Sequence, residues 1–173
     1  MSGVNRIIEI AGSYLGKLEL KGNSGFGDAV FEQQMKNVGW YKGAPWCAFF
    51  TKLVYKEAYS GHQSFKSIVN SCCSGGALQT LRNHENNGTF PVGETPKPGA
   101  IVIWRMGRSK SGHAGIVISV DHARNTMTTI EGNTNASGSR EGDRVAQKLR
   151  TITRNFNESG LNVEGYIYAA EVW

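Results

Sequence analysis

The sequence predicts an α+β fold, with N-terminal helices packed on a C-terminal antiparallel β-sheet. Three observations carry this. Apolar residues recur at helical spacing up to Leu81. After Pro96-Lys97-Pro98-Gly99 they fall instead into short strand-like runs, and the connections between those runs are short. Helices followed by strands is the α+β pattern, and short links between consecutive strands imply antiparallel pairing. At 173 residues, the chain is read as a single domain over 1–173, long enough to bury a sizeable core.

Val4, Ile7, Ile8, Ala11, Tyr14 and Leu15 form a first helical stripe, with Ser2 placed to cap it. Lys21 to Gly27 is a loop by composition. Asp28 can cap a short helix carrying Phe31, Met35 and Val38, which Gly39 ends. Pro45 prepares the start of the next helix, where no backbone N–H is needed. That helix runs from Cys47 to about Ser60 on a stripe of Phe49, Phe50, Leu53, Val54 and Ala58. Between Gly61 and Gly76 the signal is weak. Ala77, Leu78 and Leu81 support a short helix ended by Asn86-Asn87-Gly88. Strands are predicted over 100–104, 113–120, 126–130, 145–152 and 165–172, with a polar loop at 105–112 and a flexible one at 136–142.

Composition excludes several classes. Hydrophobic residues make up 39% of the chain, too many for a mainly disordered protein. The net charge of +5 favours anionic partners, but the basic residues are scattered and no run marks a nucleic-acid or membrane site. No apolar run approaches a membrane span. The N-terminus has no basic segment leading into an apolar core, so no signal peptide is expected. The three cysteines, Cys47, Cys72 and Cys73, are read as free thiols. They show no zinc-type spacing, and no metal or organic cofactor is implied.

Cysteine hydrolysis needs a thiolate, a base beside it, and a group that holds the base in the right tautomer. Taken alone, Cys47 fits a small buried packing residue under Trp46. A helix N-terminus also stabilises a thiolate, however, and the strands supply partners for one. His113 follows Gly112 at the start of an apolar strand. Glu131 and Asn133 end the next strand, two apart and so on one face if the segment stays extended. Each of these residues alone also fits a structural or turn role. His62, His84 and His122 sit in poorer settings, and nothing places a Lys or Arg beside the thiol.

The blocks Trp46-Cys47-Ala48-Phe49-Phe50, Pro98 to Trp104, Gly112-His113-Ala114-Gly115-Ile116-Val117 and Ile130-Glu131-Gly132-Asn133-Thr134 stand in one order. Together they resemble the CHAP-domain peptidoglycan hydrolases, cysteine amidases and peptidases of the papain-like, NlpC-related superfamily. The resemblance implies a papain-like fold, with Cys47 as nucleophile, His113 as general base and acid, Glu131 as the orienting group and Asn133 as a fourth polar position. It also implies cleavage of the N-acetylmuramoyl–L-alanine bond, or of a bond in the stem peptide or cross-bridge, through a thioester.

Phe26, Trp40, Tyr41 and Trp46 are expected to line the substrate groove, although core packing competes for Trp40. No separate wall-binding domain of the kind many lysins carry is expected in 173 residues. With no export signal expected, this fits a monomeric phage lysin or an interbacterial effector made in the cytoplasm and acting on the wall. The effector reading implies secretion machinery and an immunity protein as partners. Two rivals remain: a cysteine peptidase or acyltransferase acting on protein, and a catalytically silent wall-binding module.

Overall fold

The computed structural model describes residues 3–134 and 142–171. In chain order come α1 (Gly3–Ser13), a small hairpin of β1 (Glu19–Leu20) and β2 (Gly25–Phe26), α2 (Ala29–Asn37), α3 (Cys47–Ala58), α4 (Gln63–Cys72) and α5 (Ala77–Asn87). The strands β3 (Val92–Gly93), β4 (Ile101–Met106), β5 (Gly112–Asp121), β6 (Thr126–Thr134), β7 (Arg144–Thr151) and β8 (Leu161–Ile167) follow. The architecture is the expected α+β one. The Ser2 cap, the loop at 136–141 and Val172 lie outside the described residues.

Several ends agree with local chemistry. Asp28 accepts from the backbone N–H of Val30 and Phe31 and caps α2. Gly88 closes α5 with φ 74°, a left-handed conformation that suits glycine. Four elements depart from expectation, one of them the two-residue strand β3, for which the sequence predicts no strand. The polar segment Lys21–Gly27 contains the turn and second strand of the β1–β2 hairpin. The weak stretch after Gly61 holds α4, which buries only Val69 and Cys72, too thin a stripe to read as periodicity. The last strand lies earlier than predicted, because its length is set by pairing with β4 from Ile167 to Leu161.

The main sheet has six strands in the order β3-β8-β4-β5-β6-β7, every neighbour antiparallel. β4 to β7 form a meander. β8 then returns to pair with β4 rather than β7. Alternation gives the sheet two apolar faces. Ile101 and Ile103 face the helices, while Val102, Trp104, Val117 and Met127 form a smaller cluster on the other side.

α3 is the central helix. Nine of its twelve residues are buried, so it packs almost all round instead of along one stripe. The Tyr55 hydroxyl donates to the carbonyl of Gly99 at 2.7 Å, and the Tyr59 hydroxyl donates to that of Ala170 at 2.9 Å. These bonds fix the helix against the strand ends. Near its other end, α3 and β6 approach closely at Gly132. A Cβ there would lie 2.6 Å from the Trp46 ring and 2.7 Å from the Phe50 Cβ.

Gly132→Ala should therefore destabilise the fold by about 1–3 kcal/mol through overpacking. Gly12→Ala, in α1 with nothing within 4 Å of the added carbon, should be neutral or stabilising by up to about 1 kcal/mol. Urea denaturation midpoints of the two variants check this contrast.

Candidate active site

Cys47 is the first residue of α3, and Trp46 before it provides no side-chain cap. The N–H groups of the first turn are thus free for another acceptor. The His113 ring and the backbone N–H groups of Ala114 and Ala48 act on the Cys47 sulfur and favour its charged form. Burial works against a thiolate here, but the His113 charge and these donors outweigh it and bring the Cys47 pKa below its ordinary value.

His113 stands opposite Trp104 on the paired strands β5 and β4, and the two rings stack at 5.6 Å between centroids. Its Nε2 lies 2.8 Å from Glu131 Oε2. Since Glu131 takes that nitrogen, Nδ1 is the one left to face Cys47. Burial disfavours the charged ring, but the Cys47 thiolate and then Glu131 reverse this and raise the His113 pKa to about 9. The coupling favours the charged form of both groups, the direction that nucleophilic attack by a thiolate needs.

Glu131 is fully buried. Such a charge is tolerable only when paired and hydrogen-bonded. Thr129 Oγ1 donates to Oε1 at 2.6 Å, and Arg150 donates from Nε to Oε1 at 2.8 Å and from Nη2 to Oε2 at 2.5 Å. Burial would raise the Glu131 pKa; Arg150 and then His113 outweigh it and hold the carboxyl well below the usual range. The Arg150 guanidinium is itself steadied over the Trp104 ring, 5.4 Å from its centroid. Room for the carboxylate comes from Gly115, where a Cβ would lie 2.7 Å from Glu131 Cγ.

Sequence reasoning missed Arg150, Thr129 and Gly115. Thr129 was findable, since it lies two residues before Glu131 on the same strand face. Arg150 was not. It stands opposite Met127 on β7 and reaches Glu131 only because the β6–β7 register puts it within an arginine's length.

Asn133 behaves differently from Glu131. It has φ 52°, and the β6–β7 register shifts between Glu131 and Thr134. This irregularity breaks the simple alternation expected for the two residues. Asn133 lines a cleft of about 650 Å³ together with Cys47 and His113, while the ring nitrogens are taken by Glu131 and Cys47.

The expected groove aromatics need correction. Phe26, Trp40 and Trp46 are buried and have no surface to offer a substrate. They pack on one another, with Phe26 4.8 Å from Trp40 and 5.0 Å from Trp46 between ring centroids. Their polar handles serve the fold: Trp40 Nε1 donates to the Ala44 carbonyl at 2.9 Å, and Trp46 Nε1 to Glu19 Oε2 at 2.7 Å. The cluster therefore braces the turn that delivers Cys47. Tyr41 is exposed but does not line the cleft.

A second cysteine–histidine contact provides an internal comparison. Cys73 Sγ lies 3.4 Å from His84 Nε2 in the core. Burial pushes the Cys73 thiol up to about 12 and the His84 imidazole down to about 4. Both stay neutral, so proximity alone does not activate a thiol.

The fold is of the papain-like α+β class, and it brings Cys47, His113 and Glu131 together. The CHAP domain family matches residues 39–133, a segment that contains Cys47, His113, Glu131 and Asn133 and stops short of Arg150. The chain belongs to the CHAP domain family, whose members are generally hydrolases, amidases or peptidases. No curated protein matches it.

Arg150→Met should separate positioning from mere stability. Charge-assisted bonds of this kind are worth about 1.5–3 kcal/mol, or roughly one to two pKa units. Glu131 in the folded protein has a depressed pKa, so its charged form stabilises the fold above the unfolded value of about 4.3, and this is lost as pH falls. Without Arg150 that loss begins at higher pH. The acid limb of activity should move up by about one unit or more, with partial recovery in Arg150→Lys. A lower melting temperature with an unmoved limb would mean that Arg150 only holds the sheet together.

Proposed function

We propose that the protein hydrolyses an amide bond of peptidoglycan, using Cys47 as nucleophile. The observation that carries this is the grouping of Cys47 and His113 on one cleft, with Glu131 hydrogen-bonded to His113 and all three residues inside the family-matched segment. The bond is the muramoyl–alanine amide or one in the stem peptide or cross-bridge.

In this reading the Cys47 sulfur attacks the carbonyl carbon and an S–C bond forms. The oxyanion is met by the Cys47 backbone N–H at the positive end of α3. The His113 imidazolium then gives its proton to the leaving amine as the C–N bond breaks. Neutral His113 next takes a proton from water, whose oxygen attacks the thioester. The S–C bond breaks, and the pair returns to thiolate and imidazolium. Glu131 keeps Nε2 of His113 protonated, so Nδ1 does the transfers. Asn133 borders the same cleft and contacts the bound substrate.

Purified sacculi treated with enzyme should release fragments whose masses identify the bond. Cys47→Ala should release none, while Cys72→Ser/Cys73→Ser should retain most turnover per folded molecule. Glu131→Gln should leave measurable activity well below wild type, and Asn133→Ala should cost less than Glu131→Ala. Cleavage of a protein substrate with sacculi left intact would overturn the peptidoglycan reading.

The pH profile offers a separate check. Amine departure needs the imidazolium, which His113 keeps up to about 9. Turnover should therefore hold through neutral pH and fall as pH rises through that value. An alkaline limb near an ordinary histidine value of about 6.5 would mean that the thiolate–imidazolium pair does not form.

A further inference from the structure

The cleft beside Cys47 carries charge of one sign. Arg82 of α5, Lys110 of the β4–β5 loop, Arg150 of β7 and Arg154 beyond it all line the cleft, and no aspartate or glutamate does so among the described residues. Arg150 is committed to Glu131. The other three have no carboxylate partner among the described residues. Arg82 Nη2 donates to Gln79 Oε1 at 3.0 Å, and Arg154 donates to the Leu161 carbonyl. Both acceptors are neutral, so the positive charges remain.

Two acids of the neighbouring segment are already occupied. Glu158 pairs with Arg108 and Glu164 with Arg105, and none of these four residues lines the cleft. The pairs Lys17–Asp28, Lys36–Glu32, Arg124–Asp121 and Arg144–Asp143 also lie away from it. Three cations without a carboxylate partner among the described residues thus converge where the reacting bond would sit. Cys47 and His113 add no net charge to offset them, either as a neutral pair or as thiolate and imidazolium. Gly76 and Ala77, at the start of α5, border the same space, and the helix dipole there has the same sign.

We propose that Arg82, Lys110 and Arg154 select substrate by its free carboxylates. This rests on the peptidoglycan reading and narrows it. Stem peptides carry a γ-linked glutamate with an α-carboxylate, and in some walls a diamino acid with a second one. Either group can also occur as the amide. The cleft prefers the free acids. A carboxylate on Arg82 or Arg154 can be held by two parallel N–H bonds, which an amide cannot match, and Lys110 adds a point charge.

The test compares matched muropeptides that differ only in whether these carboxylates are free or amidated, with kcat/KM read by chromatography and mass spectrometry. An exposed ion pair is worth up to about fivefold in binding, so two engaged pairs should favour the free acids by about tenfold or more at low salt. The gap should shrink at high salt, where the screening length falls to about 3 Å. In Arg82→Gln/Lys110→Gln/Arg154→Gln the rate on the free acids should fall to near that on the amides. Lys110→Glu alone, at an exposed loop position, should narrow the gap in the same direction. Equal wild-type rates on both sets, or a gap that survives both variants, would overturn the proposal and leave peptidoglycan hydrolysis standing. Cleavage of neither set would overturn both.

Discussion

Glu131 carries its charge with no access to water. A carboxylate in that position is costly unless opposite charge and hydrogen bonds surround it. Here Arg150 grips both oxygens, Thr129 takes one and His113 the other. The compensation runs in both directions. The same carboxylate that needs His113 also fixes which nitrogen of the ring carries the proton and helps keep the ring charged. The ring in turn lowers the pKa of Cys47. A buried ion is thus the reference against which the geometry of the site is set.

Much of the surrounding structure supplies space and rigidity for that ion. Gly115 leaves a gap over which the Glu131 stem lies, and Gly132, next along β6, lets the strand approach Trp46 and Phe50 at the start of α3. Residues on both sides of one strand are therefore pinned, Glu131 on one face and Gly132 on the other. The aromatic cluster of Phe26, Phe31, Trp40 and Trp46 braces the turn ahead of Cys47 from behind. Cys47 and His113 come from different halves of the chain, and packing brings them onto one cleft.

The Cys73–His84 pair shows what the site would be without its charges. Both pairs place a thiol near an imidazole in a dry setting. In one, burial outweighs the opposing charge of Lys52 and both groups are neutral. In the other, a carboxylate behind the ring and two backbone N–H groups at the sulfur oppose burial. The difference lies in the third partner and the helix start. That also explains why Cys47 was separable from Cys72 and Cys73 by its position after a proline-led turn.

Local pattern was enough to place α1, α2, α3 and α5 and the β4–β7 meander, because each is marked by its own periodicity, cap or turn residues. The same pattern put Cys47 at a helix start and His113 and Glu131 on neighbouring strands. Asp28 and Gly88 act within a turn of their own positions, so their meaning is local. The remaining features depend on partners distant in sequence. β8 takes its length and place from β4, which precedes it by some sixty residues. Phe26, Trp40 and Trp46 read equally as groove or core until packing puts them inside. Arg150 acquires its role only from the β6–β7 register, and the cationic cleft exists only once α5, the β4–β5 loop and the segment after β7 meet. Periodicity reports which face of an element is buried. Only tertiary structure decides which other element covers it, and so which charges share a dry space.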